Sequence, residues 1–344
     1  MPERIIKFND SIREATEQMM EKDPSVFILG LGIPNGMGGT TTGLKAKYPE
    51  RVLETPTSEA ALTGLAVGAA ISGLHPIVHY DRVEFSLLAA DQIFTQAAKW
   101  NYMFGGGNNV PIVFRIIVGR QWGNGPQHSQ AFYSLYGAAR GLKVVIPSTP
   151  YMAKGLLVSA LQDKNPVVIL EPRWLYGTTQ NVPPEAFSTP LDKANVVRKG
   201  TSVTVVAYGD GLFSAREACD IIGTDADVEL IDLVSINPID HETVLASVKK
   251  TKKLICVDTT SAAFGVGSEI ISLVSRHMSG ALSVNPVLVS CPNVPCPTST
   301  ALSEFYYPTK VDIANAILPL LGKPLIKKDL SFEELHLPPT STIQ

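Results

Sequence analysis

The chain has 344 residues, long for a single hydrophobic core and suited to two domains. It is 45% hydrophobic and 18% charged, with a formal net charge of −3. Such a near-neutral balance gives no electrostatic case for nucleic acid or an anionic membrane as partner. No apolar run reaches membrane-spanning length, and Met1-Pro2-Glu3-Arg4 lacks the apolar region of a signal peptide, so a cytoplasmic protein is expected. Four cysteines, Cys219, Cys256, Cys291 and Cys296, lie in the second half. The last two have a spacing that could suggest metal, but no second pair or nearby histidine completes a site, and free thiols in a reducing compartment are expected.

In chain order, 11–20 reads as an amphipathic helix and 26–30 as a buried strand. The glycine-rich stretch 30–39 follows, which lacks the lysine of a nucleoside-triphosphate loop and reads as an irregular loop. The segment 55–73 reads as the centre of the fold. From Ala60 to Ile71 it has no charge and no large polar side chain, so a helix buried on every face is expected. Ser58 suits the N-cap, Gly73 the C-terminal stop, and Gly64 with Gly68 would let another backbone come close. Strand 76–80, helix 86–103, strand 111–117, a polar loop 119–130, strand 143–146, helix 151–162 and strand 167–171 continue the alternation. That rhythm predicts an α/β fold with a parallel sheet covered on both faces. We expect a first domain over 1–180, a linker over 181–200, a second α/β domain over 201–328 and a loose tail over 329–344.

Ligands of open parallel sheets bind beyond the carboxyl ends of the strands. Three such places carry unusual polar groups: Glu59 ahead of the central helix, Asp81-Arg82 with Phe85, and the loop holding Gln127 and His128. An acid at the mouth of an apolar helix is worth its desolvation only if it is hydrogen-bonded or functional, although it can also merely complement the helix dipole. His128 can act as acid or base near neutral pH; its bland reading is a surface histidine held by its neighbours.

An ordered set of segments then resembles one family. These are Thr55-Pro56-Thr57-Ser58-Glu59, Phe85-Ser86 with Asp91-Gln92-Ile93, Tyr102-Met103 with Gly105-Gly106, Val110 to Arg115, Gln127-His128-Ser129-Gln130, Gly141 to Val145, Ala153 to Leu157, Asn165 to Val168 and Phe264 to Gly267. Together they resemble the beta subunit of thiamine-diphosphate-dependent 2-oxo-acid dehydrogenases, of the pyruvate and branched-chain type. The resemblance implies a transketolase-like pyrimidine-binding domain followed by a transketolase C-terminal domain. It implies an α2β2 tetramer whose alpha subunit holds the diphosphate and Mg2+, and a lipoyl-bearing acyltransferase as recipient of the acyl group. By the same resemblance Glu59 would bond the aminopyrimidine N1′ and favour its imino tautomer, Phe85 would stack near that ring, and His128 would handle protons beside the 2-oxo acid. Backbone groups of Ile112, Ala160, Asp163 and Asn165 would fall where some relatives hold K+, or form an ordinary helix-to-strand turn. Gly209-Asp210-Gly211 followed by Asn237 imitates a magnesium-diphosphate signature, but Pro238 stands where a second asparagine belongs and the family places no diphosphate there.

Several positions depart from the family pattern. Leu31-Gly32 replaces an acidic pair, Asp81-Arg82-Val83-Glu84 replaces an apolar-aromatic run, and Arg120, Trp122 and Asn124 replace small residues. These groups suit a polar substrate, with Arg82, Trp122, Gln127 and His128 as its contacts. Three readings follow: a decarboxylating dehydrogenase beta subunit, an enzyme of the same cofactor chemistry forming a carbon–carbon bond to a polar or sugar-like ketone, and a non-catalytic scaffold chain.

Overall fold

Short apolar strands alternating with helices build two α/β units in the computed structural model, which describes residues 4–120, 123–223, 226–278 and 280–343. The first part of the chain forms β1 (Ile5–Lys7), α1 (Phe8–Lys22), β2 (Val26–Gly30), α2 (Leu44–Lys47), β3 (Val52–Glu54), α3 (Glu59–Ile71), β4 (His75–Tyr80), α4 (Val83–Ser86), α5 (Ala98–Met103), β5 (Val113–Val118), α6 (Tyr133–Gly137), β6 (Lys143–Val145), α7 (Pro150–Ala160), β7 (Val167–Pro172) and β8 (Thr179–Asn181). The second part forms β9 (Asn195–Arg198), β10 (Val203–Ala207), α8 (Gly209–Ile222), β11 (Val228–Asp232), β12 (Ser235–Asn237), α9 (His241–Thr251), β13 (Leu254–Ser261), α10 (Val266–His277), β14 (Val287–Cys291), α11 (Thr300–Ser303), α12 (Lys310–Ile317) and α13 (Phe332–His336). The division is not a single cut: the described parts of Met1–Gly119, Leu135–Leu191 and Pro339–Gln344 make one unit, those of Arg120–Ser134 and Asp192–Pro338 the other.

In the first unit the strands run parallel in the order β6-β7-β5-β4-β2-β3. Every residue of β2, β4, β5 and β7 is buried, as a sheet covered on both faces requires. Phe8, Ile12, Ala15 and Met19 of α1 turn one apolar stripe inward, where α7 meets them. Lys154, buried in α7, is held by the Glu14 carboxylate and by the carbonyls of Pro183 (2.7 Å) and Pro184 (3.0 Å). Within the segment read as a tail, Ile343 is buried and its N–H donates to the Thr179 carbonyl at 2.7 Å.

The second unit has a sheet in the order β14-β13-β10-β11-β9, parallel except for the antiparallel edge strand β9. Val205, Leu230 and Ile255 of its central strands share a core with Leu212, Ala215 and Ala218 of α8 and Ile313 and Ile317 of α12.

Two sequence expectations are corrected. Helix α3 is not enclosed on every face: Leu62, Thr63, Ala66, Val67 and Ala70 are buried, while Ala60, Ala61, Gly64, Leu65, Gly68 and Ile71 are exposed. Gly68 has nothing within 4 Å of where a side chain would start, so no described residue makes the close backbone approach expected there. The helix expected over 86–103 is helical but uneven in pitch, tight over Leu87–Ala89 and widened to a π-type turn over Asp91–Ala97 before α5.

Candidate active site

The carboxyl ends of β2, β3 and β4 lead into the glycine-rich loop, the start of α3 and the start of α4, so three polar segments leave one edge of the sheet. Glu59 is the first residue of α3 and is half-buried. The helix start is pinned from within the fold. Thr63 Oγ1 donates to the Glu59 carbonyl (2.6 Å) and also hydrogen-bonds the Tyr80 hydroxyl, and since its single proton is used, Tyr80 donates. Burial, with Tyr136 and Glu59 adding to it, keeps that phenol protonated, well above its ordinary pKa. Ser58 caps α3 by position without a side-chain bond.

Arg82 is 8% exposed and precedes α4. Burial pushes its pKa down and Asp81 opposes the shift. Phe85 is half-buried on α4, whose turn is fixed by Ser86: its Oγ donates to the Val83 carbonyl (2.5 Å) and accepts from Tyr136 (2.5 Å). Glu59, Arg82 and Phe85 therefore belong to one unit.

Gln127 and His128 belong to the loop carried by the second unit; Gln127 is exposed and His128 half-buried, with its N–H donating to the Gly125 carbonyl (3.3 Å). Trp122 lies outside the described residues. This loop is fastened to the second unit at several points. Arg120 pairs with Asp210 (3.9 Å) and sits over the Tyr307 ring (4.8 Å). Gly125, at φ +66°, lies so close to Thr298 that a β-carbon would fall 2.3 Å from its Oγ1, and Tyr133 packs edge-on against Tyr208.

The Gly209-Asp210-Gly211 motif opens α8. Asp210 is buried, its Oδ1 accepts from Thr259 Oγ1 (2.9 Å), and burial raises its pKa against the lowering effect of Arg120. Its carboxylate is thus committed to protein partners. The positions considered for potassium gather at the turn between α7 and β7, where the Ile112 carbonyl accepts from Val167 N–H (3.0 Å) and the Ala160 carbonyl from Asp163 N–H (3.3 Å). Asp163 accepts from Asn165 N–H (2.9 Å) and is paired with Lys143, so an ammonium already supplies positive charge there.

Sequence reasoning passed over a buried polar cluster in the first unit. Arg115 and Glu171, both fully buried, form a bidentate pair, joined by Tyr176. The signal was present: a basic and an acidic residue, each inside an apolar strand that must be buried on both faces, need each other.

The first unit is thus a parallel sheet covered on both faces with polar segments leaving its carboxyl edge, and its likeness to known proteins defines it as a transketolase-like pyrimidine-binding unit. The family described as "Transketolase, pyrimidine binding domain" matches residues 5–179, and "Transketolase, C-terminal domain" matches 192–313. The chain is 40% identical to the acetoin:2,6-dichlorophenolindophenol oxidoreductase subunit beta of Cupriavidus necator, over 91% of this chain and 96% of the relative. It is 39% identical to the mitochondrial pyruvate dehydrogenase E1 component subunit beta of Homo sapiens, over 91% and 89%. A solved structure titled "Split gene transketolase, inactive beta4 tetramer" shares the fold, with a TM-score of 0.73 at 21% identity over 92% of this chain and 98% of that one. The chain belongs to the family of beta subunits of thiamine-diphosphate-dependent 2-oxo-acid dehydrogenases.

Glu59 presents a half-buried carboxyl at the start of α3 and Phe85 a half-buried ring on α4, the kinds of group that would hold the pyrimidine half of thiamine diphosphate. Among the described residues no cluster of His, Cys, Asp or Glu is built to hold a metal ion, and no helix is long and apolar enough to cross a membrane.

Proposed function

We propose that this chain supplies the pyrimidine-activating carboxylate and the substrate-side histidine of a two-chain enzyme acting on a 2-oxo acid. A separate alpha subunit, in an α2β2 assembly, holds the diphosphate and Mg2+. The observation that carries this reading is Glu59, the one acid of α3, standing half-buried at the helix start with its turn locked by Thr63 and Tyr80. Bound thiamine diphosphate supplies the carbon nucleophile and the electron sink for decarboxylation. Glu59 hydrogen-bonds the ring nitrogen N1′, and partial burial strengthens that bond by lowering the local dielectric. Phe85 covers a face of the ring and excludes water. His128, with Gln127 beside it, moves a proton at the substrate or acceptor oxygen. The uncovered apolar face of α3 supports a partner subunit at that surface. Four buried free thiols fit a reducing cytoplasm. If potassium binds, it uses the remaining lone pairs of the Ile112 and Ala160 carbonyls.

The test is Glu59→Gln in the enzyme reconstituted with its alpha subunit. Loss of 2-oxo-acid turnover by roughly 10²-fold or more is expected; undiminished turnover would leave the scaffold reading standing instead.

The acceptor has two readings. A lipoyl-bearing acyltransferase is the partner in a dehydrogenase complex. The nearly buried Arg82 guanidinium, with Asp81 and Glu84 near it, favours a polar or sugar-like ketone and carbon–carbon bond formation. Supplying pyruvate and a lipoyl domain separates them: abundant acyl-lipoamide supports the dehydrogenase, and its near absence during active decarboxylation supports the ligase.

A further inference from the structure

Where β4, β5 and β7 run side by side, the hydrogen bonds of the first unit do not close among the described residues. Arg115 is 0% exposed and Glu171 1%. Nε and Nη2 of Arg115 donate to Oε1 (2.6 Å) and Oε2 (3.0 Å) of Glu171, and the Tyr176 hydroxyl donates to Oε2 (2.7 Å). Glu171 is thereby engaged at both oxygens, yet Nη1 of Arg115 is buried with no acceptor among the described residues. His79 stands opposite Arg115 in the β4–β5 register, is 2% exposed, and has no partner at either ring nitrogen among the described residues. Burial holds it neutral, and Arg115 and Arg173 push in the same direction.

Arg173 completes the group. Its guanidinium stacks on Tyr176, 4.7 Å from the ring centroid, and no described carboxylate pairs with it. Its Nη1 would lie 2.2 Å from a β-carbon at position 38, so only Gly38, at φ +56°, admits it against the glycine-rich loop. Arg82 is nearby, but Asp81 and Glu84 offset its charge. Arg115 and Arg173 thus bring two positive charges to one carboxylate, in surroundings where an unpaired charge and idle donors are both costly. Water would answer the donors and leave the charge; one small anion answers both.

We propose that His79, Arg115 and Arg173 form a binding site for a small monoanion, a free inorganic or carboxylate ion or the acid group of a substrate. His79 and Arg115 Nη1 form the inner wall, and the half-buried Arg173 forms the outer side beside the loop. The proposal goes beyond the role given to Glu59 and stands whether or not that role holds.

The experiment titrates sodium formate into the complex of this chain with its alpha subunit, at constant ionic strength balanced with a bulky sulfonate, and follows thermal unfolding. A saturable rise in the midpoint is expected, with apparent affinity about tenfold or more weaker in Arg173→Gln and partly recovered in Arg173→Lys. No saturable rise in the wild type, or the same rise in Arg173→Gln, overturns the site. KM for the 2-oxo acid, measured with and without saturating formate, identifies the source: a proportional increase assigns the site to the substrate's acid group, and an unchanged KM assigns it to a free ion. If Arg173→Gln fails to fold, bromide in wild-type crystals decides. A bromide within hydrogen-bond distance of His79 and Arg115 Nη1 supports the site, and none there refutes it.

Discussion

Arg120 and Asp210 form an ion pair, Nε to Oδ2 at 3.9 Å, that ties the beginning of the histidine-bearing loop to the first turn of α8. Thr259 steadies the acid and Tyr307 lies under the guanidinium, so the loop has a fixed root on the second unit. This gives the Gly-Asp-Gly motif a structural use unconnected with diphosphate. Asp210→Asn should lower kcat/KM by about tenfold to 10²-fold, because a shift of about 1 Å in a catalytic loop is enough for that. Thiamine diphosphate affinity of the complex should stay near wild type. Equal kcat/KM in a folded Asp210→Asn complex would remove the anchoring role.

Phe85→Ala should weaken thiamine diphosphate binding to the αβ complex by about twofold to tenfold, the scale of one lost aromatic contact of about 0.5–1.5 kcal/mol. Cofactor titration followed by activity reads the change. Unaltered affinity would show that Phe85 does not face the ring.

Lys154 is a fully buried ammonium whose three acceptors come from α1 and from the residues after β8. Lys154→Met removes the charge and the ammonium's bond to the Pro183 carbonyl, while the Pro184 carbonyl keeps Gln18 (2.6 Å) and Glu14 keeps Arg4. A loss of about 3–5 kcal/mol is expected in urea unfolding. A cost below about 1 kcal/mol would mean that the extended segment is held by other contacts.

His75 opens β4, is buried, and has its pKa lowered by that burial, with Asp23 and Asp163 opposing. In the unfolded chain it accepts a proton near pH 6.5, whereas in the folded chain it resists one. The unfolded state therefore binds more protons as pH falls below about 6.5, and stability should decline there with a slope of up to about 1.4 kcal/mol per pH unit for such a group. His75→Gln should flatten part of that decline. Identical slopes in variant and wild type would exclude His75 as its origin.

Much of the fold is readable from local pattern. Val26–Gly30 and Val167–Pro172 are continuous apolar runs of strand length, and the structure makes both of them central strands. Glu59 is conspicuous because nothing else ionisable stands near it on its helix. Other features are long-range and have no local trace. The pairing of Arg120 with Asp210 depends on how the second unit's chain returns, and the π-type turn at Asp91–Ala97 interrupts a segment whose spacing reads as one regular helix. Helix α3 misled for a different reason. Apolar periodicity says that a face avoids water but not whose atoms cover it, so Leu65 and Ile71 read as core although this chain leaves them bare.

That bare strip on α3 has a bearing on how the protein must be made. Ala61, Gly64, Leu65 and Gly68 form a smooth, greasy ridge, and smooth ridges adhere to one another. Copies synthesised ahead of whatever shields the ridge would find each other first, so matched expression of the companion chain becomes a condition for keeping this one in solution.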